Sequence, residues 1–458
     1  MKRLSKVAIL AALGLLLSSK AFAGNVDTYG IGAKATSLGG AYTAWADDPF
    51  ALYYNPAGLA QINKPEVTLG FENVKPFLTV NSLSVNNPNY QETLNRTGFQ
   101  PSGVYPLYPY YKGGNSFGSF TDNSATMTIP NFGIALPVSK KLTLGFGVYV
   151  PYGLSISFTN SPFNPISFSS YKSWYYREVF AFGAGYKITD NLFIGGAINI
   201  GTTQSGVERY VWGSNFIPNS PPTPPTITNQ YYALRTNLAD DHNFSWNLGV
   251  MYKPTDWLTL GATYRSMTHT NLSGTYQLQT PNGTQQGSTS TSVNAPDQLQ
   301  IGVNIKPSEK VRFEVDYLWT DWSVVNAYDV FFTPSVLGQS NAPFQRHWNN
   351  TNTFKFGIEY KPIEMLALRG GFYYDPTPIP DSTFDAQWPD ANKYMFTGGV
   401  GLNFKHWKID TDVFYSTTAG NRNISNSENM NNSYSGQNTD IDVKAHIWGY
   451  GLNVTYVF

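Results

Sequence analysis

Side chains alternate at period two through most of the chain. Across 142–150, Leu142, Leu144, Phe146, Val148 and Val150 share one face, and Thr143, Gly145, Gly147 and Tyr149 share the other. Leu258–Arg265 sets Leu258, Leu260, Ala262 and Tyr264 against Thr259, Gly261, Thr263 and Arg265. In 311–319, Val311, Phe313, Val315, Tyr317 and Trp319 oppose Arg312, Glu314, Asp316 and Leu318. Strict alternation predicts strands covered on one side. Bulky apolar residues backed by Gly, Thr and charge describe a lipid-facing surface over a crowded polar lumen. A water-soluble sandwich would instead bury its apolar faces against each other.

Turn chemistry supplies the topology. Short polar turns are predicted at Ser139-Lys140-Lys141, Thr189-Asp190-Asn191, Lys253-Pro254-Thr255-Asp256, Lys306-Pro307-Ser308-Glu309, Lys361-Pro362-Ile363-Glu364 and Lys405-His406. Several carry Pro at the second turn position, which presets φ. Between them lie segments rich in Asn, Ser, Pro and Gly, at 84–125, 159–170, 211–241, 279–287, 331–350, 376–391 and 417–439. Six short turns with both termini on one side, and seven long loops on the other, predict fourteen antiparallel strands. An even count with alternating short and long connections is the habit of outer-membrane barrels. The last strand agrees: Trp448, Tyr450, Leu452, Val454, Tyr456 and Phe458 share one face. The clusters Trp174-Tyr175-Tyr176, Trp319/Trp322, Phe331-Phe332 and Tyr373-Tyr374 are predicted near outer strand ends, as interfacial girdles.

Composition points the same way. Only 13% of the 458 residues are charged, while 16% are aromatic, and mean hydropathy is −0.28. That average is too polar for a bundle of apolar helices of about 20 residues each. Thirty basic residues balance thirty acidic ones, so no basic field draws the chain to nucleic acid. Zero Cys excludes disulfides and thiolate metal sites. The five His show no metal spacing, and neither a metal nor a cofactor is expected.

The first 23 residues read as an export signal. Lys2, Arg3 and Lys6 precede an apolar run at 7–17, and Ala21-Phe22-Ala23 supplies the small residues of a cleavage site. Residues 24–64 then break the strand period. Lys34 to Trp45 is rich in Ala and Gly, and Asp48-Pro49 and Asn55-Pro56 each put a capping residue before a Pro at a helix start. Two or three short helices are predicted before a first strand near Glu66. A fourteen-strand lumen is too wide for its own side chains to fill, which favours this segment as a plug and 65–458 as the barrel.

A resemblance follows from these residues. Ala46-Asp47-Asp48 with Asn55-Pro56-Ala57-Gly58-Leu59 resembles the hatch of the FadL-type outer-membrane fatty-acid transporters, which include TodX-like aromatic hydrocarbon channels. Ile129-Pro130-Asn131-Phe132, Tyr152-Gly153-Leu154, Val207-Glu208-Arg209, Tyr264-Arg265-Ser266, Pro378-Ile379-Pro380 with Pro389-Asp390, and the aromatic C-terminus follow in the family's order. The resemblance implies an all-β transmembrane barrel of fourteen antiparallel strands with an N-terminal helical hatch in the lumen. It implies uptake of a fatty acid or hydrocarbon, caught by outer loops and released sideways through a kink in strand three. Val150, Pro151, Tyr152 and Gly153 would form that kink, because Pro removes a ladder N–H and Gly weakens pairing. The hatch residue Asn55 would contact the kink, with Pro56, Ala57 and Gly58 beside it. Arg209 would bind a ligand carboxylate, with a second cation at Arg346 or Lys355. Trp212, Phe216 and Tyr231 of the 211–241 loop would form the capture platform. Expected partners are the hydrophobic ligand, outer-membrane lipids and lipopolysaccharide, and the barrel-assembly machinery, around a monomer.

Other readings remain open. A general diffusion porin fits the barrel, though not the plug-like N-terminus. A lipase-type barrel would need Ser and His one strand apart on the lipid face, and no such pair is found. Gly114-Asn115-Ser116-Phe117-Gly118 spells a nucleophile elbow without strand-to-helix context. Gly30-Ile31-Gly32-Ala33-Lys34-Ala35 fits a dinucleotide fingerprint by letters only.

Overall fold

The computed structural model describes residues 30–86, 115–217, 226–434 and 436–458; the export signal and the Pro221–Pro225 run lie outside them. Fourteen antiparallel strands form a closed ring. β1 is Glu66–Asn86, β2 Met127–Pro137, β3 Leu142–Ser157, β4 Lys172–Lys187, β5 Leu192–Ile217 and β6 Thr226–Thr255. Four strands come in two pieces: β7 (Leu258–Arg265, then Leu272–Thr280), β8 (Gly283–Thr291, then Gln298–Ser308), β9 (Val311–Thr320, then Ala327–Val336) and β10 (Gln339–Gln345, then Thr351–Ile363). β11 is Leu366–Asp375, β12 Lys393–Asn403, β13 Trp407–Thr418 and β14 Asn438–Val457. Each strand pairs with the next, and β14 pairs back onto β1 from Glu66↔Val457 to Asn86↔Asn438. Closure gives every strand a neighbour on both sides.

The two faces follow the alternation. Trp246, Leu248, Val250 and Tyr252 of β6 point outward and are exposed, as are Phe354, Phe356, Ile358 and Tyr360 of β10 and Trp448 and Tyr450 of β14. The acids and arginines between such residues are buried inside: Glu314, Asp316, Glu359, Arg369, Asp410 and Asp412. Apolar outside and ionic inside is the inverse of a globular protein, and it suits lipid.

Two expectations change. The segments 211–241, 279–287 and 331–350 are not loops but outward continuations of the hairpins. β5 and β6 stay paired to Ile217↔Thr226, β7 and β8 to Thr280↔Gly283, and β9 and β10 to Val336↔Gln339. Above the membrane a strand has no lipid face, so its apolar alternation vanishes while Thr, Ser and Gln still pair. The predicted outer girdle is also thinner than expected. Trp174, Tyr175, Tyr176, Trp322, Phe332 and Tyr373 are buried, and of those clusters Phe331 is the exposed member.

Residues 30–62 lie within the ring. They form α1 (Ala33–Ser37), α2 (Ala51–Tyr54) and a 3-10 helix over Pro56–Gln61. Asp48 Oδ1 accepts from the Phe50 amide (2.8 Å) just ahead of α2, and Asn55 caps the 3-10 helix through the Ala57 amide (3.1 Å) with Pro56 at its first position. Leu38, Tyr42, Trp45, Phe50, Leu52, Tyr54 and Leu59 form a buried core with Tyr149, Val179, Phe193 and Met251 of the wall.

Candidate functional site

Segment 30–62 is seated by polar side chains of the wall. Asp316 Oδ2 accepts from the Tyr42 and Thr43 amides (2.9 and 3.0 Å) and from Thr43 Oγ1 (2.7 Å). Glu314 Oε1 accepts from the Ala44 amide at 2.6 Å. On nearby β6 and β7, Asn247 Nδ2 donates to the Leu52 carbonyl (2.8 Å) and Arg265 Nη1 to the Tyr53 carbonyl (3.1 Å). Asn453 Oδ1 accepts from the Ala33 amide at 2.7 Å. These contacts satisfy amides and carbonyls that short helices leave open. Wall glycines admit the close approach: a Cβ on Gly195 would sit 2.2 Å from the Pro56 carbonyl carbon, and one on Gly371 2.1 Å from the Gly39 amide.

The Ala46-Asp47-Asp48 run faces a polar cavity of about 250 Å³ between the segment and β1, β10–β14. Burial opposes charge on Asp47, but Lys34, 2.5 Å away, and Arg312 hold its carboxyl well below the usual range. Asp48 has no such pairing. Burial, aided by the Asp47 charge, pushes its carboxyl up to about 6 against the pull of Lys34. The Tyr42 hydroxyl lies within hydrogen-bonding distance of both acids.

Strand three is continuous through Pro151 but carries a bulge there. Its register with β4 slips between Tyr149↔Val179 and Tyr152↔Arg177, leaving one extra residue on β3. Gly153 is not part of the irregularity; it pairs with Tyr176. The larger change is on the other edge. β2 pairs with β3 only from Pro137↔Thr143 to Phe132↔Val148, although β2 stays on β1 out to Val74↔Met127. Beyond Phe132 and Val148 the two strands diverge, and they meet again where the Asn123 amide donates to the Ser157 carbonyl (2.8 Å). Val150 joins a buried apolar cluster with Met127 and Ile129 of β2 and Trp174 and Tyr176 of β4.

Asn55 does not face this break. Its amide nitrogen donates to the Thr43 carbonyl (2.8 Å) and to the Val250 carbonyl of β6 (3.1 Å). Pro56 and Ala57 lie against Gly195 of β5, and Gly58 is held against Ala46. From the segment, the Tyr53 ring meets Tyr149, the last β3 residue paired before the slip, edge-on at 5.6 Å.

An outer cavity of about 350 Å³ lies between the tall part of β5–β6, β9–β10 and the 376–391 loop. That volume is within the range of small-molecule sites. Arg209, Trp212, Tyr328, Phe344 and Trp388 line it. Arg209 stands 5.9 Å from the Phe344 ring and makes no ion pair among the described residues. Trp212 stacks on Phe168 at 4.3 Å. Tyr231 packs behind the wall against Tyr210 and Phe168, and Phe216 is placed by its backbone opposite Ile227.

The two candidates for a second cation are both spent elsewhere. Arg346 is fully buried and paired with Asp385 at 2.7 Å, while its Nη2 donates to the Tyr328 hydroxyl at 2.6 Å. It fastens the 376–391 loop. Lys355 lies beside Gly40 of the inner segment, with the Tyr373 ring 5.9 Å away. Sequence reasoning missed Tyr328, Phe344, Trp388 and Arg177. Phe344 and Trp388 sit in segments predicted as loops, where no period assigns a face, and Tyr328 lies just ahead of the 331–350 segment. Arg177 was legible by parity, since it falls two residues from Val179 on the inward face of β4.

A fourteen-strand ring, apolar toward lipid, with an ordered segment inside and an aromatic outer cavity, defines an outer-membrane transport barrel. The chain belongs to the family described as Outer membrane protein transport protein (OMPP1/FadL/TodX), which it matches over residues 14–458. It is 24% identical to a putative outer membrane protein, NMB0088, of Neisseria meningitidis serogroup B, covering 93% of this chain and 92% of the relative. It is 22% identical to the long-chain fatty acid transport protein of Escherichia coli K12, covering 83% and 85%. In fold it is similar to a Pseudomonas aeruginosa FadL homologue (TM-score 0.74, 18% identity, 95% of this chain and 99% of that one). It is also similar to the P. putida toluene transporter TodX (TM-score 0.66, 15% identity, 94% and 99%). The chain is therefore an outer-membrane transporter of hydrophobic compounds and not an enzyme.

Proposed function

We propose that a hydrophobic ligand, a fatty acid or a hydrocarbon, is caught in the outer cavity beside Arg209 and Trp212. It then descends past Trp388 and Tyr175 and leaves sideways between β2 and β3 into the outer leaflet. Residues 24–64 act as a hatch that keeps the lumen shut to ions and polar solutes. The observation that carries this reading is the loss of β2–β3 pairing beyond Phe132↔Val148 while both strands keep their other neighbours. Unpaired backbone at membrane depth is tolerated only beside protein or a cavity, and here buried apolar side chains line the break. Sideways release also keeps the ligand's gain of about 0.8 kcal/mol per CH₂ out of water, which a watery periplasm would forfeit. In this reading the export signal at 1–23 is removed, the barrel-assembly machinery inserts the chain, and a monomer works among outer-membrane lipids and lipopolysaccharide.

The chain contains no Cys, so the route can be closed reversibly. Ile129→Cys with Val150→Cys, bridged by a short thiol-specific cross-linker, should stop uptake in proteoliposomes, and a reductant should restore it. Continued uptake by the bridged protein would mean that ligand passes down the barrel axis.

A further inference from the structure

Arg177 is an ionised side chain buried in the lumen beside the strand-three irregularity, with no acid in ion-pairing distance among the described residues; Asp240 acts on it only from further off. It is 3% exposed and sits opposite Tyr152, the first β3 residue paired beyond the bulge. Its Nε donates to Asn243 Oδ1 at 2.7 Å and its Nη2 to Ser245 Oγ at 3.2 Å. Both partners are neutral, and no carboxylate comes within ion-pairing distance among the described residues. Its Nη1 end makes no hydrogen bond among them either. The pocket is shaped for the guanidinium: a Cβ on Gly201 would lie 2.7 Å from Nε and 2.8 Å from Nη2. Asn199 braces the supports, donating to Ser245 Oγ and Asn247 Oδ1.

A buried charge without a partner costs several kcal/mol, and arginine cannot shed its proton to escape that cost. Two other lumenal cations of this barrel are paired with acids. Arg369 has Glu359 and Asp410, and Lys34 has Asp47. Arg265, below Arg177 against the Tyr53 ring, likewise has only neutral partners in Gln298, Gln300 and the Tyr53 carbonyl. Arg265 is nevertheless linked through Gln300 to the Asp316 carboxylate, whereas Arg177 has no such bridge among the described residues.

We propose that Arg177 is a carboxylate-binding site at the lateral exit, and that the transported class is an amphipathic monocarboxylate rather than a neutral hydrocarbon. The proposal rests on the uptake reading above. Arg177 pairs in register with Thr203, and Arg209 lies six residues further out on the same strand, about 20 Å away. Between them stand Trp388 and Tyr175, with ring centroids 5.4 Å apart. The head group passes from the first unpaired guanidinium to the second, while the chain moves along the aromatic rings into the break. With Arg346 and Lys355 engaged elsewhere, Arg177 supplies the second cation, at the exit instead of the entrance. A guanidinium with two nitrogens held by neutral acceptors and its Nη1 unbonded among the described residues suits an acceptor-only head group such as carboxylate.

The test compares palmitate with hexadecanol, which share a chain length, in proteoliposomes of the full-length protein. Arg177→Met fills similar space without charge. It should slow palmitate entry about tenfold or more, the loss of one charge-assisted pair, and leave hexadecanol within about twofold of wild type. Arg177→Lys should restore part of the palmitate rate. Equal slowing of both probes would make Arg177 a structural residue, and an unchanged palmitate rate would mean that no carboxylate is held there. Wild-type protein that carries hexadecanol but not palmitate would overturn the substrate class. Failure of the lateral route is read separately: a cross-linked β2–β3 pair that still transports removes that reading, whereas the palmitate-to-hexadecanol ratio alone decides the Arg177 site.

Discussion

Glu72 of β1 and Asp412 of β13 meet over Gly451 of β14. Both pair in register with that glycine, and a Cβ there would lie 2.4 Å from Asp412 Oδ1 and 2.5 Å from Glu72 Oε1. Among the described residues no amide, hydroxyl or cation donates to the four carboxyl oxygens, so the two acids have only each other. Thr36, beside Glu72, spends its hydroxyl on the Gly32 carbonyl at 3.0 Å. Asp412→Asn supplies the missing donor and should stabilise the barrel by about 1 kcal/mol, whereas Gly451→Ala should destabilise it by about 1–3 kcal/mol through overpacking. Thermal unfolding in detergent reads both. Two shifts of the same sign would count against this contact.

The Asp316 carboxylate holds three donors of the inner segment. Asp316→Ala should release residues 42–44 at a cost of about 3 kcal/mol or more, as buried amides lose a charged acceptor. Planar bilayers should then record ion conductance where the parent protein is nearly silent, while barrel mobility on unheated gels stays normal. Silence in the variant would show that the seat does not depend on this residue.

Acidity should tighten the same segment. Asp48 has its carboxyl raised to about 6 from an ordinary value of 3.8. A group raised on folding stabilises the seated form below its ordinary pKa and loses that contribution as pH climbs through about 6. Hydrogen exchange in 38–62, corrected for intrinsic rate, should therefore be slower at pH 5 than at pH 7.5. Asp48→Asn should flatten that dependence.

Arg209 and Arg346 should separate cleanly. Arg346→Ala leaves the buried Asp385 carboxylate without its cation, held only by the Gln387 and Trp388 amides, which costs about 3–5 kcal/mol, and should loosen the 376–391 loop for every ligand. Arg209→Ala leaves no acid stranded. It should weaken binding of fatty acid but not of a neutral hydrocarbon in ligand-quenching titrations, with thermal stability unchanged. Loss of both ligands together would make Arg209 structural.

How much of this was legible depended on what each residue had to satisfy. The lipid-facing strands were plain because hydrocarbon and lumen impose opposite demands on alternate positions, as in Glu314 and Asp316 against Phe313 and Val315. Pro151 announced an irregularity because it cannot donate to a ladder. Which edge would come apart could not be read, because the β2–β3 divergence involves ordinary residues such as Ile129 whose partner is missing rather than unsuitable. Asn55 was read correctly as a cap, but its second contact, to Val250 on β6, depends on how the segment is oriented within the ring. The tall outer hairpins were hidden by a hydrophobic criterion applied where there is no lipid. Arg346 differed from Arg209 only through Asp385, 39 residues away.

The glycines that admit segment 30–62 also bear on how the molecule is held together. On β3 to β5 and β10 to β12 the wall offers bare backbone to Leu52, Leu59, Pro56, Leu38 and Ser37, so an emptied ring would enclose a bore without side chains to fill it. The segment precedes every strand in the chain, and the last strand seals against the first. The closed ring packs on Leu52, Leu59 and Leu38 of the segment as a globular protein packs on its core. Conduction that expelled it whole would unmake the surface on which the ring packs.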